Sequence, residues 1–141
     1  MTNAFDVLVA NARNAANTEN LDALYGAFFA LKEWNFIVSQ NSSPEDARPF
    51  IGLVDEKPWL YVFTDGMKAQ QYAQAAGGFL EQDGNTLILR MEAENSMDIA
   101  RQLHERGVYG IRVNEGENGW YFDIPGMFQI KEYLKTKKES E

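Results

Sequence analysis

Few residues in this chain could do chemistry. Cysteine is absent and His104 is the single histidine. Composition alone therefore removes thiolate nucleophiles, disulfides and sulfur-ligated metals. One imidazole without thiols does not make a conventional zinc site. His104 lies in the run Asp98-Ile-Ala-Arg-Gln-Leu-His-Glu-Arg106, near the end of a predicted helix, where a cation suits the negative end of the dipole. A general base needs a nucleophile or an orienting group beside it, so His104 reads as a solvated helix residue.

The acidic pairs are equally plain. Glu92 and Glu94 fall at a strand end, and Glu115 and Glu117 flank a glycine in a predicted hairpin turn. Carboxylates so placed could hold a hard cation weakly, but the spacing of a calcium loop is missing and solvated turns are the expectation. Gly77-Gly78 follows a predicted helix, whereas a phosphate cradle precedes one. No lysine-serine or lysine-threonine pair follows Gly116 or Gly119, and no Gly-x-Ser-x-Gly occurs. The expectation is a chain that is not an enzyme and has no cofactor and no metal.

Aromatic residues carry more information. Trp59, Tyr61 and Phe63 alternate with Leu60 and Val62, and alternate residues of a strand point to opposite faces. This strand is thus apolar on both sides. Neighbouring predicted strands add Arg90 beside Thr86 and Ile88, Arg112 beside Gly110 and Asn114, and Tyr121 beside Asp123. Trp59, Tyr61, Arg90, Arg112 and Tyr121 on one face would make an aromatic and arginine patch, the composition enriched at binding hot spots. The competing expectation is that Trp59 and Tyr61 are core.

Those residues need elements to position them. Phe5, Leu8, Val9, Ala12 and Ala16 recur at helical spacing, capped by Thr2 or Asn3. A second helix is expected from about Glu19 to Glu33, so 1–33 reads as a helical hairpin. The period then changes to two at 34–39. Asn41–Asp46 reads as a loop. Strands follow at Pro49–Asp55 and Trp59–Thr64, separated by Glu56-Lys57-Pro58. A helix begins at Thr64-Asp65-Gly66, with Met67, Tyr72 and Ala76 turned inward, and stops at Gly77-Gly78. Asp83-Gly84 marks a hairpin between 79–82 and 86–91. Asn95 or Ser96 opens the next helix. Strands at Tyr109–Val113 and Trp120–Ile124 precede a last helix with Pro125 in its first turn. Strands and helices without strict alternation indicate one α+β domain over 1–141: a mainly antiparallel sheet with helices packed on one side.

A chain of 141 residues fits one domain. With 21 acidic against 13 basic residues the net charge is −8, which repels phosphate backbones and disfavours nucleic acid. The same charge steers encounter with a basic protein. The lysines at 131, 135, 137 and 138 suit the end of the last helix. No apolar run approaches a membrane span and no signal peptide is read, so the expected location is the cytoplasm.

Pro49-Phe-Ile-Gly-Leu-Val54, Trp59-Leu-Tyr-Val-Phe-Thr-Asp65 leading into Lys68-Ala-Gln-Gln-Tyr-Ala73, and Gly107-Val-Tyr-Gly-Ile-Arg-Val-Asn-Glu-Gly116 form a set of motifs. Together they resemble the N-terminal domain of SseB-like proteins. Glu115 stands where that family often has proline. The likeness covers about half of the chain and leaves the helical hairpin outside. It implies a bacterial cytoplasmic α+β domain, with the sheet-and-helix body at 34–141, and carries over no catalytic residue. The expected function is a non-enzymatic protein-binding domain, an acidic immunity or regulatory protein, with self-association left open. The alternative is a small-molecule sensor or an enzyme working through carboxylates and tyrosines.

Overall fold

The structure is a computed structural model that describes residues 4–38, 48–76, 86–116 and 118–139. In chain order come α1 (Ala4–Asn14), α2 (Thr18–Phe29), β1 (Glu33–Ile37), β2 (Ile51–Val54), β3 (Lys57–Val62), α3 (Gly66–Ala76), β4 (Ile88–Glu92), α4 (Ala93–Glu105), β5 (Gly110–Val113), β6 (Trp120–Asp123) and α5 (Ile124–Glu139). The class is α+β, and α1 and α2 form the expected helical hairpin. No helix among the described residues is long and apolar enough to cross a membrane.

Two asparagines shape the hairpin turn. Asn17 accepts the Asn20 N–H at 2.9 Å and so caps α2, which starts the helix earlier than Glu19. Asn20 Nδ2 donates to the Ala15 carbonyl at 2.9 Å, satisfying a group that the end of α1 leaves open. The helix also stops short of Glu33. Leu31 instead packs on the main core from the connection into β1.

Strands β2, β3, β5 and β6 lie side by side in that order, while β1 and β4 form a second ladder. The β3–β5 pair is parallel, and β1–β4, β2–β3 and β5–β6 are antiparallel. An Asn35–Phe63 bridge links the two ladders. Parallel neighbours require a long crossover, here supplied by α3, β4 and α4.

The main core lies under one sheet face. Leu60, Val62, Ile111, Val113 and Phe122 are buried there with Phe28 of α2, Met97 and Ala100 of α4, and Ile124 and Met127 of α5. The helices do not all share that side. Ala69 and Ala73 of α3 pack with Ile37, Trp59, Tyr61 and Phe63 on the opposite face. An apolar strand face left in water is unfavourable, and β3 is apolar on both faces.

Other differences are local. The β2–β3 turn is Asp55-Glu56, both at positive φ (53° and 68°), as a two-residue type I′ hairpin requires. Lys57 and Pro58 already belong to β3. On α3, Met67 is 71% exposed and Ala76 is exposed, so Ala69 and Ala73 are the inward residues. Helix α4 begins at Ala93, with buried Ser96 bonding back to the Glu92 carbonyl at 2.9 Å instead of capping. Strand β4 pairs with β1. Its expected partner at 79–82, the Asp83-Gly84 turn, the Asn41–Asp46 loop, Gly77-Gly78 and the Thr2 or Asn3 cap lie outside the described residues.

Candidate functional site

Register decides which predicted residues meet. Trp59 and Tyr61 of β3 stand opposite Gly110 and Arg112 of β5. Gly110 and Arg112 in turn face Asp123 and Tyr121 of β6. Trp59, Tyr61, Arg112 and Tyr121 therefore share one sheet face, the one that α3 covers only at its far end.

The indole of Trp59 lies across bare backbone. Both ladder neighbours of Trp59 are glycines, Gly52 and Gly110. A Cβ at Gly110 would come within 2.7 Å of the Trp59 ring and 2.1 Å of the Phe122 carbonyl oxygen. The Trp59 indole N–H donates to the Val54 carbonyl at 3.3 Å. Trp59 and Tyr61 are each only 6% exposed, whereas Tyr121 is 63% exposed. The first two are core, and Tyr121 is what the face offers to solvent.

Arg112 joins the buried and exposed rings. Its guanidinium carbon lies 5.0 Å from the Trp59 ring centroid and 5.2 Å from that of Tyr121, within the range of cation–π attraction. Glu115, three residues on, forms an ion pair with it. Burial lowers the Arg112 pKa, but the bond to Glu115 more than offsets this, leaving it above its ordinary value. The two rings meet edge-on at 5.5 Å, so guanidinium, indole and phenol form a three-way cluster that holds the charge in place.

Arg90 does not join this cluster. It is exposed on β4 and pairs with Asn35 of β1, in the other ladder. Its companion Thr86 is buried, its carbonyl taken by Gln70 at 2.9 Å. Sequence patterning could place Arg90 on a strand but could not assign that strand to a ladder.

The structure also adds members. Tyr109 is 39% exposed, meets Trp59 edge-on at 5.0 Å, and carries the Lys57 ammonium 4.2 Å above its ring. Glu115 belongs too, as the partner of Arg112. The sequence held no local signal for either, because both join the cluster only through the parallel β3–β5 pairing.

A cleft of about 550 Å³ opens beyond the carboxyl ends of β3 and β5, lined in part by Asp6, Lys68, Gln71, Tyr72, Ala75 and Glu115. Lys68 Nζ and Asp6 Oδ1 pair at 2.6 Å. Burial, and Tyr61 beside it, push the Tyr72 phenol up to about 12. Burial raises Tyr61 as well. Neither Trp59 nor Tyr121 lines this cleft.

The remaining candidates stand apart. His104 is exposed, its Nδ1 3.0 Å from the Val108 carbonyl oxygen. Glu92 and Glu94 are exposed, Glu115 is engaged by Arg112, and Glu117 lies outside the described residues. Among the described residues no three His, Cys, Asp or Glu side chains gather to hold a metal ion. Lys137 reaches back to Asp22 at 2.5 Å.

Compared with known proteins, the chain matches no family model and no curated protein. The SseB-like resemblance therefore rests on its motifs.

Proposed function

We propose that this chain is a non-enzymatic protein-binding domain whose contact surface is the open face of β3, β5 and β6. The observation that carries the reading is Arg112 packed against both Trp59 and Tyr121, whose rings themselves meet edge-on at 5.5 Å, with Tyr121 63% exposed. Rigid aromatic and arginine groups lose little conformational freedom on binding and dominate interface energetics. Trp59 and Tyr61 act here as the floor, Arg112 and Tyr121 as the contacts, and Tyr109 extends them.

The partner that suits this surface is a basic protein. Asp55 and Glu56 in the adjoining turn and Asp123 on the same face are exposed, and the chain carries a net charge of −8. Such charge raises the rate of encounter and makes affinity fall as salt rises. In this reading the chain is a bacterial cytoplasmic domain of the immunity or regulatory kind, in keeping with its SseB-like motifs.

The test is capture from the source cells with the wild-type chain and with Tyr121→Ala. A protein retained by the first and lost by the second, at unchanged circular dichroism, supports the reading. Identical capture by both chains removes Tyr121 from the interface and the reading with it.

One observation favours a second reading, a small-molecule sensor. The cleft beside Tyr72 falls within the usual size range for ligand sites. A ligand whose binding is lost in Tyr72→Phe but kept in Tyr121→Ala would establish it.

A further inference from the structure

Strand β2 ends the four-stranded order, and among the described residues no strand pairs beyond it. Its hydrogen-bond phase can be read from its neighbour. The Tyr61 N–H donates to the Phe50 carbonyl at 3.4 Å. In an antiparallel ladder, pairs that exchange hydrogen bonds alternate with pairs that do not. Stepping along the register, Gly52–Trp59 exchanges bonds, while Ile51–Leu60 and Leu53–Pro58 do not. Pro58 agrees, since it has no N–H to give and its carbonyl is taken on the far side by the Tyr109 N–H at 2.8 Å. The backbone groups of Ile51 and Leu53 therefore point away from β3, into the open edge.

The side chains of the same two residues are also on offer. Ile51 is 37% exposed and Leu53 75% exposed. Both lie on the Leu60 side of the sheet, where Ile51 lines a groove of about 580 Å³ together with Ile99 and Leu103 of α4. The charged residues lining that groove are Arg106 and Arg48, of which Arg48 is already engaged, and no carboxylate lines it among the described residues. In a chain of net charge −8 this is an apolar channel with Arg106 on its rim, beside strand backbone that no described strand pairs.

We propose that β2 is a strand-addition site for an extended segment of another protein, with aliphatic side chains at alternate positions and carboxylates between or beside them. Added strands gain affinity from main-chain hydrogen bonds and specificity from pockets for alternate side chains. Here Ile51 and Leu53 supply two N–H and two C=O groups. Aliphatic side chains of the segment would lie against Ile99 and Leu103, and its acids would meet Arg106. A second copy of this chain suits the edge less well, because two-fold pairing would set the arginine-bearing groove against its own image. This site is separate from the Tyr121 face and does not depend on it.

The test uses the full chain and a fluorescein-labelled, acetylated heptapeptide of alternating valine and glutamate. Expected are saturable anisotropy, amide shifts in the ¹⁵N spectrum centred on Ile51–Val54, and weakening by about tenfold in Arg106→Glu. Tyr121→Ala should bind this peptide as wild type does, so failure here and failure of the sheet-face reading are separable. A valine–lysine heptapeptide should not bind, nor should the valine–glutamate peptide methylated on alternate backbone nitrogens. Equal binding of either control, or shifts centred away from β2, overturns the proposal. So does a stable dimer in sedimentation that the peptide leaves intact.

Discussion

Asn114 accepts the backbone N–H of Thr64 at 2.9 Å and donates from its amide to Thr64 Oγ1 at 3.1 Å. Both residues are buried, and together they tie the carboxyl ends of the parallel strands β3 and β5. Asn114 stands at φ 50°, a left-handed conformation that asparagine tolerates better than most residues. That bend sends the chain back so that Glu115 reaches Arg112. Asn114→Ala removes the buried bonds and adds backbone strain, an expected loss of about 2–4 kcal/mol. Asn114→Gly keeps the bend and loses the bonds, so its denaturation midpoint should fall between the two. An alanine variant as stable as wild type would show that the tie does not matter.

Trp59 and Tyr121 should separate cleanly in stability. Trp59 is 6% exposed, and truncating a buried tryptophan costs about 3–5 kcal/mol. Tyr121 is 63% exposed, and Tyr121→Ala should stay within about 1 kcal/mol of wild type. Urea titration of both variants measures this. Loss of partner binding in Trp59→Ala says nothing about contact, whereas the same loss in Tyr121→Ala does.

Gly110→Ala is expected to be among the most damaging single changes. Its Cβ would sit 2.1 Å from the Phe122 carbonyl oxygen and 2.7 Å from the Trp59 ring. Neither the backbone nor a ring held by neighbours on several sides can yield cheaply. The expected loss is about 3 kcal/mol or more, with a red shift of tryptophan emission if Trp59 is levered into water. A small stability change with unchanged emission would contradict this packing.

The tyrosine pair predicts a dependence on alkaline pH. Burial raises the pKa of Tyr72 to about 12 in the folded chain, from 10.0. Between those values the unfolded chain has lost the proton that the folded chain keeps. Unfolding then releases it, so stability falls as pH rises from about 10 towards about 12. Below 10 this contribution is fully present. Tyr72→Phe should flatten the slope of stability against pH over that window, and an unchanged slope would assign it to other groups.

The elements were largely legible from residue patterning because helical and strand periods differ. Asp65 illustrates the local part. Its carboxylate accepts the Lys68 N–H at 2.8 Å, and a cap of this kind acts within a few residues of sequence. Pro125 in the first turn of α5 is similar. Ladder assignment was not local. Arg90 and Arg112 look alike in sequence, each on a short strand among apolar neighbours, yet one pairs with Asn35 and the other with Tyr61 and Tyr121. The parallel alignment of β3 with β5 also brings together residues some fifty positions apart, and no turn signal announces it.

The amino-acid order by itself determined an acidic α+β chain with a helical hairpin, no thiol, and a third strand that is apolar on both faces. Those properties follow from composition and short-range periodicity. Tertiary structure alone decided that α3 crosses to cover part of the second face, that Trp59 rests on Gly110 while Tyr121 stays in water, and that Arg112 packs against both rings. Burial is a property of what lies above a residue. For β3 that cover comes from segments distant in the chain, so it emerges only when the parallel pair closes.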